Sequence, residues 1–509
     1  MSQFKINNSK FIILLLIINY SLQIATAQPG NTKRANHWFF GWNAGLDFSS
    51  GTMQDDPNGQ TYIDEGAASI SDTAGNLLFY VDPIGGTMPN DSNMNIYNRN
   101  HQIMQNGTDI DCGWSGRQNS IIVPLPESDN IYYLFTLTDI TAQMDYLGYV
   151  DSMGFKYSII DMDLDGGLGA VTQKNIPIYI ASVGDTLSEI LTAVHHANCK
   201  DVWIMIHRFN ADEYLAYKLT ENGLDTLPVV SQIGSHAIDC IGWGMKFSPN
   251  GKMAVVNKDY SWQSYSTKPD TLELYKFDKT NGVLYDLIKI PIDSIVSGKE
   301  FSQENNLLYT FQGTNSQIPM VYQYNLSEWN KTFILNSKTY IGSYLMSIPD
   351  LHLTPLNTII MTGEQSDSIG VIEYPNEQGL ACSVNPNVLT ITNNTAWNCP
   401  NFICSYFNTD TTVYNCSQTT TEEVIKNQRF KVFPNPLNKQ ATIETKGRKI
   451  IYCNLYNIKG KQQRKNKDYK LKQQDNTYLF TNKKLKGGIY ILSGVFADKG
   501  QFNIKLIIN

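Results

Sequence analysis

Charge is scarce in this sequence: Asp, Glu, Lys and Arg make up 17% of its 509 residues, where a quarter or so is usual. Disordered chains and coiled coils are excluded, because both depend on dense charge. Beyond the first thirty residues no apolar run approaches the 18 or more that a membrane-spanning helix requires. Also missing are H-E-x-x-H, G-x-S-x-G, a phosphate-binding glycine loop and paired C-x-x-C. The commonest signatures of zinc proteases, serine hydrolases, nucleotide enzymes and zinc ribbons are therefore absent. An enzyme whose acids come from distant parts of the chain stays open.

What is present is enough for a packed core. The hydrophobic fraction is 42% and the aromatic fraction 11%, with 29 Tyr and 8 Trp. The net charge of −7 conceals a division, since residues 421–509 hold 19 basic and 6 acidic side chains and residues 1–420 hold 21 and 41. A basic tail follows an acidic body. At the other end, Lys5 and Lys10 precede the apolar run Phe11 to Ile18, and Ala25-Thr26-Ala27 supplies small residues for cleavage between Ala27 and Gln28. Residues 1–27 read as a secretory signal peptide.

From residue 37 to 408 helical periodicity is rare, and short apolar strands recur in pairs around a turn. Aligning these units on Ile70, Ile121, Leu191, Met245, Phe301 and Leu351 gives spacings of 51, 70, 54, 56 and 50. A period near fifty with turn residues at a fixed offset predicts the four-stranded blades of a β-propeller. Strand-like material is left over at Trp38 to Phe48 and Val388 to Phe407. A blade shared between the two would remove exposed edges, which favours seven blades over six. Lys279-Thr280-Asn281-Gly282 reads as a hairpin turn of type I′, where both central residues take positive φ. Residues 409–428 read as a polar linker, and 429–509 as a small β-sandwich.

Within that last segment stand F-K-V-F-P-N-P-L from Phe430, I-I-Y-C-N-L-Y-N-I-K-G-K from Ile450, L-K-G-G-I-Y-I-L from Leu485 and I-K-L-I-I-N from Ile504. This segment resembles the type A C-terminal sorting domain of Bacteroidetes proteins exported by the type IX (Por) secretion system. The resemblance implies that the secretion machinery is a partner and that the protein travels through the periplasm to the outer-membrane surface or the medium. N-H-W-F-F-G-W-N-A-G-L-D-F from Asn36, E-G-A-A-S-I-S-D from Glu65 and P-N-F-I-C-S-Y-F from Pro400 are similar to uncharacterised secreted propeller-like proteins with such sorting domains. That likeness implies a fold and no activity. With export comes an oxidising compartment, and Cys382 and Cys399 bracket the closing segment, so a disulfide between them is expected, with Cys404 to Cys416 a further pairing.

Asp161, Asp163, Asp165 and Gly166 have the alternating-oxygen spacing of a calcium loop, although Thr172 stands where an EF-hand has glutamate. An Asp- and Gly-rich turn explains the same residues. His195, His196 and His207 fall on one predicted hairpin, where the adjacent pair must face opposite sides and at most two converge on zinc. Trp114, Tyr146, Tyr149, Trp262 and Tyr265 lie in loop-like stretches suited to stacking on sugars or on a protein. The basic tail belongs to the sorting segment of an exported chain, which argues against nucleic acid. Two readings of the body follow: noncatalytic binding of a glycan or protein partner, or a polysaccharide hydrolase or lyase with an active site assembled from several blades. The second predicts two carboxylates within about 10 Å of each other near the axis. The first predicts an axis lined by amides and apolar groups.

Overall fold

The computed structural model describes residues 31–63, 65–82, 93–113, 116–137, 154–180, 187–209, 211–236, 244–258, 270–313, 319–344, 350–397, 399–409, 431–434, 436–445, 449–457, 461–474, 477–497 and 501–508. The signal segment with Ala27 and Gln28, the linker beyond residue 409, Cys416 and all five loop aromatics named above lie outside the described residues. Contacts divide the chain into two compact units, residues 1–416 and 417–509.

The first unit is almost wholly antiparallel strand. Among the described residues it holds seven sheets in chain order, spanning 37–55, 68–111, 120–180, 187–232, 245–292, 295–343 and 350–390, most of them four-stranded. Their first strands are β1 (His37–Phe40), β2 (Ala68–Ser71), β3 (Ser120–Pro124), β4 (Leu187–His195), β5 (Met245–Phe247), β6 (Ile295–Phe301) and β7 (Asp350–Leu353). Ile70, Ile121, Leu191, Met245, Phe301 and Leu351 each lie on one of β2 to β7. Strand residues such as Ile121, Ile122 and Val123 are buried in succession, with no exposed alternate. A strand whose two faces are both covered shows this continuous apolar pattern.

Each first strand packs on the next, β1 on β2 and so on to β6 on β7. Trp38 on β1 then meets His352 on β7 with ring centroids 4.9 Å apart, which closes the circuit. The arrangement is propeller-like. The leftover segments do not make one regular sheet. Trp42 N–H donates to Asn394 O at 2.9 Å, which ties residue 394 to the first sheet, but residues 399–407 turn inward to the axis. The reason is composition: Phe402, Ile403, Tyr406 and Phe407 are all buried, and a strand added at the rim would leave half of them wet.

The hairpin around Asn281 forms, with a different turn from the one its Asn-Gly pair suggests. Only Gly282 takes positive φ, +73°, and Asp278 Oδ1 accepts the N–H groups of Thr280 and Asn281. Four residues separate the strands, so one left-handed residue closes the loop where a two-residue type I′ turn needs two.

The second unit contains two four-stranded antiparallel sheets among the described residues. Ile443 and Phe480 from one sheet and Leu455, Leu492 and Leu506 from the other share a single apolar core.

Candidate functional site

The axis of the first unit is occupied by its own chain. Asn401 N–H donates to Ala67 O at 2.8 Å, and its Nδ2 donates to Ser120 O at 3.1 Å and Leu191 O at 2.8 Å. One side chain thereby pins the segment to β3 and β4. Ile403 bridges Ala193 in parallel, and Ser405 Oγ accepts the His195 N–H at 3.0 Å and lies 2.7 Å from His195 Nδ1. Phe402 packs on Trp38 and His352. Residues 399–407 therefore touch first strands on several sides of the circuit.

Around this plug lie charges that the apolar strands would not suggest. Lys246 on β5 extends Nζ to 3.2 Å from Glu300 Oε2 on β6, and His352 Nδ1 lies 3.9 Å from the same oxygen. Glu300 also accepts the backbone N–H groups of Phe301 at 2.9 Å and Leu353 at 3.3 Å. Burial pushes the Glu300 carboxyl above its usual range, against the pull of Lys246 and the two N–H groups. Burial also opposes the Lys246 charge, but Glu300 and then Asp350 outweigh it and hold the ammonium above its ordinary value. His352 is driven well below its usual value by burial and by Lys246, so it is neutral near pH 7.

At the start of the first strands, Arg117 Nε lies 3.7 Å from Glu65 Oε1, and its Nη1 donates to Ser297 O at 2.9 Å. Glu65 Oε2 accepts the Gly116 N–H at 2.8 Å. Gln118 clamps Met245, accepting its N–H at 2.7 Å and donating to its carbonyl at 2.8 Å. Lys299 donates to Asn257 Oδ1 at 2.7 Å. Arg117, Gln118, Lys246, Lys299, Asp350, His352, Cys399 and Asn401 enclose a cavity of about 20 Å³, room for a water molecule. Carboxylates are present at the axis: Glu65 and Glu300 each lie against a cation, Asp350 lines the same cavity, and residues 399–407 pass alongside them.

Apart from His195 and Cys399, none of these residues is marked by a sequence motif. The signal that would have found them is a charge inside an otherwise apolar first strand, as with Lys246 between Met245 and Phe247 or His352 between Leu351 and Leu353.

The sites expected from sequence fall elsewhere. Asp161 ends one strand and accepts the Asp163 N–H at 2.9 Å, Asp163 accepts from Asn130 Nδ2 at 2.7 Å, and Asp165 sits in an exposed turn with φ +50°. Among the described residues no three His, Cys, Asp or Glu side chains are grouped so as to hold a metal ion. His195 and His207 lie at opposite ends of their hairpin, as the pairings of His195 with Val202 and Leu187 with Arg208 require. His207 Nδ1 turns to Ser188 Oγ at 3.3 Å, and His196 Nε2 to Thr280 O at 3.0 Å.

The expected disulfide is not formed: Cys382 and Cys399 are both free, and so is Cys404. Sheet geometry explains it. The Cys382 carbonyl accepts from Tyr374 beyond the Ile372 end of the last sheet, whereas Cys399 Sγ lies 3.7 Å from Thr362 Oγ1 at the other end. Bracketing a segment in sequence did not bring the two thiols to the same end of the strands.

Residues 431–509 match the family model described as the secretion system C-terminal sorting domain. The match supports export by type IX secretion to the cell surface or the extracellular space, with the secretion machinery as a partner. No curated protein matches the sequence. Among solved structures the chain is similar to a periplasmic gluconolactonase of Pseudomonas aeruginosa, at TM-score 0.43 and 11% identity over 72% of this chain and 98% of that one. It is also similar to a functionally unknown protein from Desulfotomaculum acetoxidans, at TM-score 0.38 and 12% identity over 72% and 99%. The propeller-like arrangement rests on the sheets themselves. No helix among the described residues is long and apolar enough to cross a membrane.

Proposed function

We propose that the chain is an exported seven-bladed β-propeller that binds a glycan or protein partner without transforming it, and that its C-terminal β-sandwich is its export address. A signal peptide cut between Ala27 and Gln28 takes the chain to the periplasm, and type IX secretion takes it onward. The observation that carries the export half is the sorting-domain match over residues 431–509. Support for binding over hydrolysis comes from the axis. Two of its acids, Glu65 and Glu300, already serve Arg117 and Lys246, and residues 399–407 fill the space where a substrate would lie. A general acid and a base or nucleophile need room for a sugar between them, at about 5 to 9.5 Å.

The test is a panel of polysaccharides incubated with the secreted full chain and scored for retention of protein and for release of product. Retention without product is the expected result. Product release would replace this reading with a hydrolase or lyase.

A further inference from the structure

Arg34 is a buried cation with no carboxylate beside it. It stands in the short 3-10 turn Thr32–Ala35, 3% exposed, directly after the exposed Lys33. Its Nη1 reaches the Tyr132 hydroxyl at 3.5 Å, its buried Nε has no hydrogen-bond partner, and no acid lies within 4 Å among the described residues. Arg117, Lys156 and Lys246, by contrast, each lie against an acid. Burial opposes the Arg34 charge. Of the groups that counter it, Tyr406, Tyr132 and Asp72, only Asp72 is ionised near pH 7, because burial pushes both phenols above their ordinary range. The Asp72 carboxylate is spent on its own turn, where it accepts the N–H groups of Ala74, Gly75 and Asn76 and the Asn76 side chain.

The turn packs on β2, which ends at Ser71, and on residues 404–407. There the hydroxyls of Ser71 and Tyr406, both buried, also lack a partner among the described residues. Three unsatisfied groups thus stand on three segments that meet at this turn. The field there is positive: His195, its ring 5.8 Å from that of Tyr406, is lowered to about 3 by burial, then by Arg34 and Lys279.

This set selects its occupant. A guanidinium donates and never accepts, and a hydroxyl is free to donate. A water would accept from two of the groups, but it needs acceptors for its own protons and leaves the buried cation uncompensated, which is the costly part. An anion satisfies the donors and the charge together. A monoatomic anion needs little more room than a water and carries no attached chain that must reach solvent, whereas an organic carboxylate or a phosphate ester does.

We infer that Arg34 and Tyr406, with Ser71 alongside, bind a halide ion, chloride from the medium, which ties residues 32–35 to the axial plug at 399–407. The ion is taken up as the turn docks. The site is independent of the partner-binding reading above.

The experiment is thermal melting of the full chain across a chloride series in which sodium methanesulfonate holds the ionic strength constant, repeated on Tyr406→Phe and Arg34→Gln. For the unaltered protein the midpoint rises by about 1 to 2 °C per tenfold in chloride once the site fills. Tyr406→Phe discriminates by sign. Without an ion it merely deletes an unpaired buried hydroxyl and is neutral or stabilising. With the ion, it lowers the midpoint in chloride and moves the response to at least tenfold higher concentration, while Arg34→Gln abolishes the response. Bromide in place of chloride gives an anomalous scattering peak beside Arg34 Nε in crystals. Equal midpoints in chloride and methanesulfonate, a chloride response unchanged in Tyr406→Phe, or no bromide at Arg34 overturns the site and leaves Arg34 to water alone.

Discussion

Asn401 Nδ2 donates to the carbonyl oxygen of Leu191 at 2.8 Å although 210 positions separate the two residues. The same nitrogen reaches Ser120 O at 3.1 Å, so two first strands and the axial plug meet at one buried amide. Because Ser120 and Leu191 are fully buried, losing the amide leaves their carbonyls without that partner and without water.

Asn401→Ala is accordingly expected to cost about 2 to 4 kcal/mol, since each stranded polar group costs roughly 1 to 3 kcal/mol. Denaturant unfolding followed by tryptophan fluorescence measures it. A loss within a few tenths of a kcal/mol would mean that the plug is not held by this residue.

Lys246 and Glu300 make a buried pair, for which breaking and replacing have different consequences. Glu300→Gln removes the nearer of the two carboxylates that hold the buried ammonium and is expected to cost about 3 kcal/mol, whereas Lys246→Met combined with Glu300→Leu recovers most of it. The sign with pH follows from the raised Glu300 pKa. In that range the folded state takes up the proton before the unfolded chain does, so this residue favours folding more as pH falls from its raised value toward about 4.5. Comparing thermal midpoints of the native and doubly substituted proteins across that range isolates the effect.

Asp72 behaves in the opposite sense. Its Oδ1 accepts the N–H groups of Ala74, Gly75 and Asn76, and its Oδ2 accepts from Asn76 Nδ2. Burial works to raise its pKa, but the Asn76 side chain and the three N–H groups prevail and lower it. The stabilisation is present above the unfolded value near 3.8 and is lost as pH falls through the lowered folded value. Asp72→Ala should therefore cost about 1 to 2 kcal/mol at pH 7 and progressively less in acid, read from paired melting curves.

Gly282 closes its loop at φ +73°, and a Cβ there would lie 2.8 Å from Trp203 Cη2. Gly282→Ala combines left-handed backbone strain with a clash against a buried indole, and about 2 kcal/mol of destabilisation is expected in thermal melts. The same substitution at the open Gly51 meets no neighbour within 4 Å and should cost less.

Cys382 and Cys399 should stay unmodified by a thiol reagent in the native protein and both react after unfolding without reductant. Burial pushes the Cys382 thiol up to about 11 and Cys399 higher still, so neither is a thiolate at neutral pH. Recovery of a Cys382 to Cys399 cross-linked peptide on nonreducing mapping would contradict the geometry.

What could be read from the sequence followed from local pattern. Apolar runs broken by turn residues mark the strands, and their spacing of about fifty residues places Ile70 through Leu351 on successive first strands. The axial groups were hidden for a physical reason. Lys246, Glu300 and Asp350 are brought together by the closing of the circuit, and nothing in the local sequence around any of them encodes the others. The path of residues 399–407 was hidden likewise, because an apolar segment shows that it must be buried but not where until the rest of the core is known. Cysteine spacing misled, since it reports distance along the chain and the two thiols lie at opposite ends of one sheet.

The central claim is that the sorting segment directs export and that the first unit folds without it. It is tested most directly by deleting Phe430 onward in a host with a type IX secretion system and locating the protein by fractionation and surface protease. The account predicts a folded, signal-processed first unit that accumulates in the periplasm and keeps whatever partner the full chain binds. Normal surface display or release of the truncated protein would contradict it.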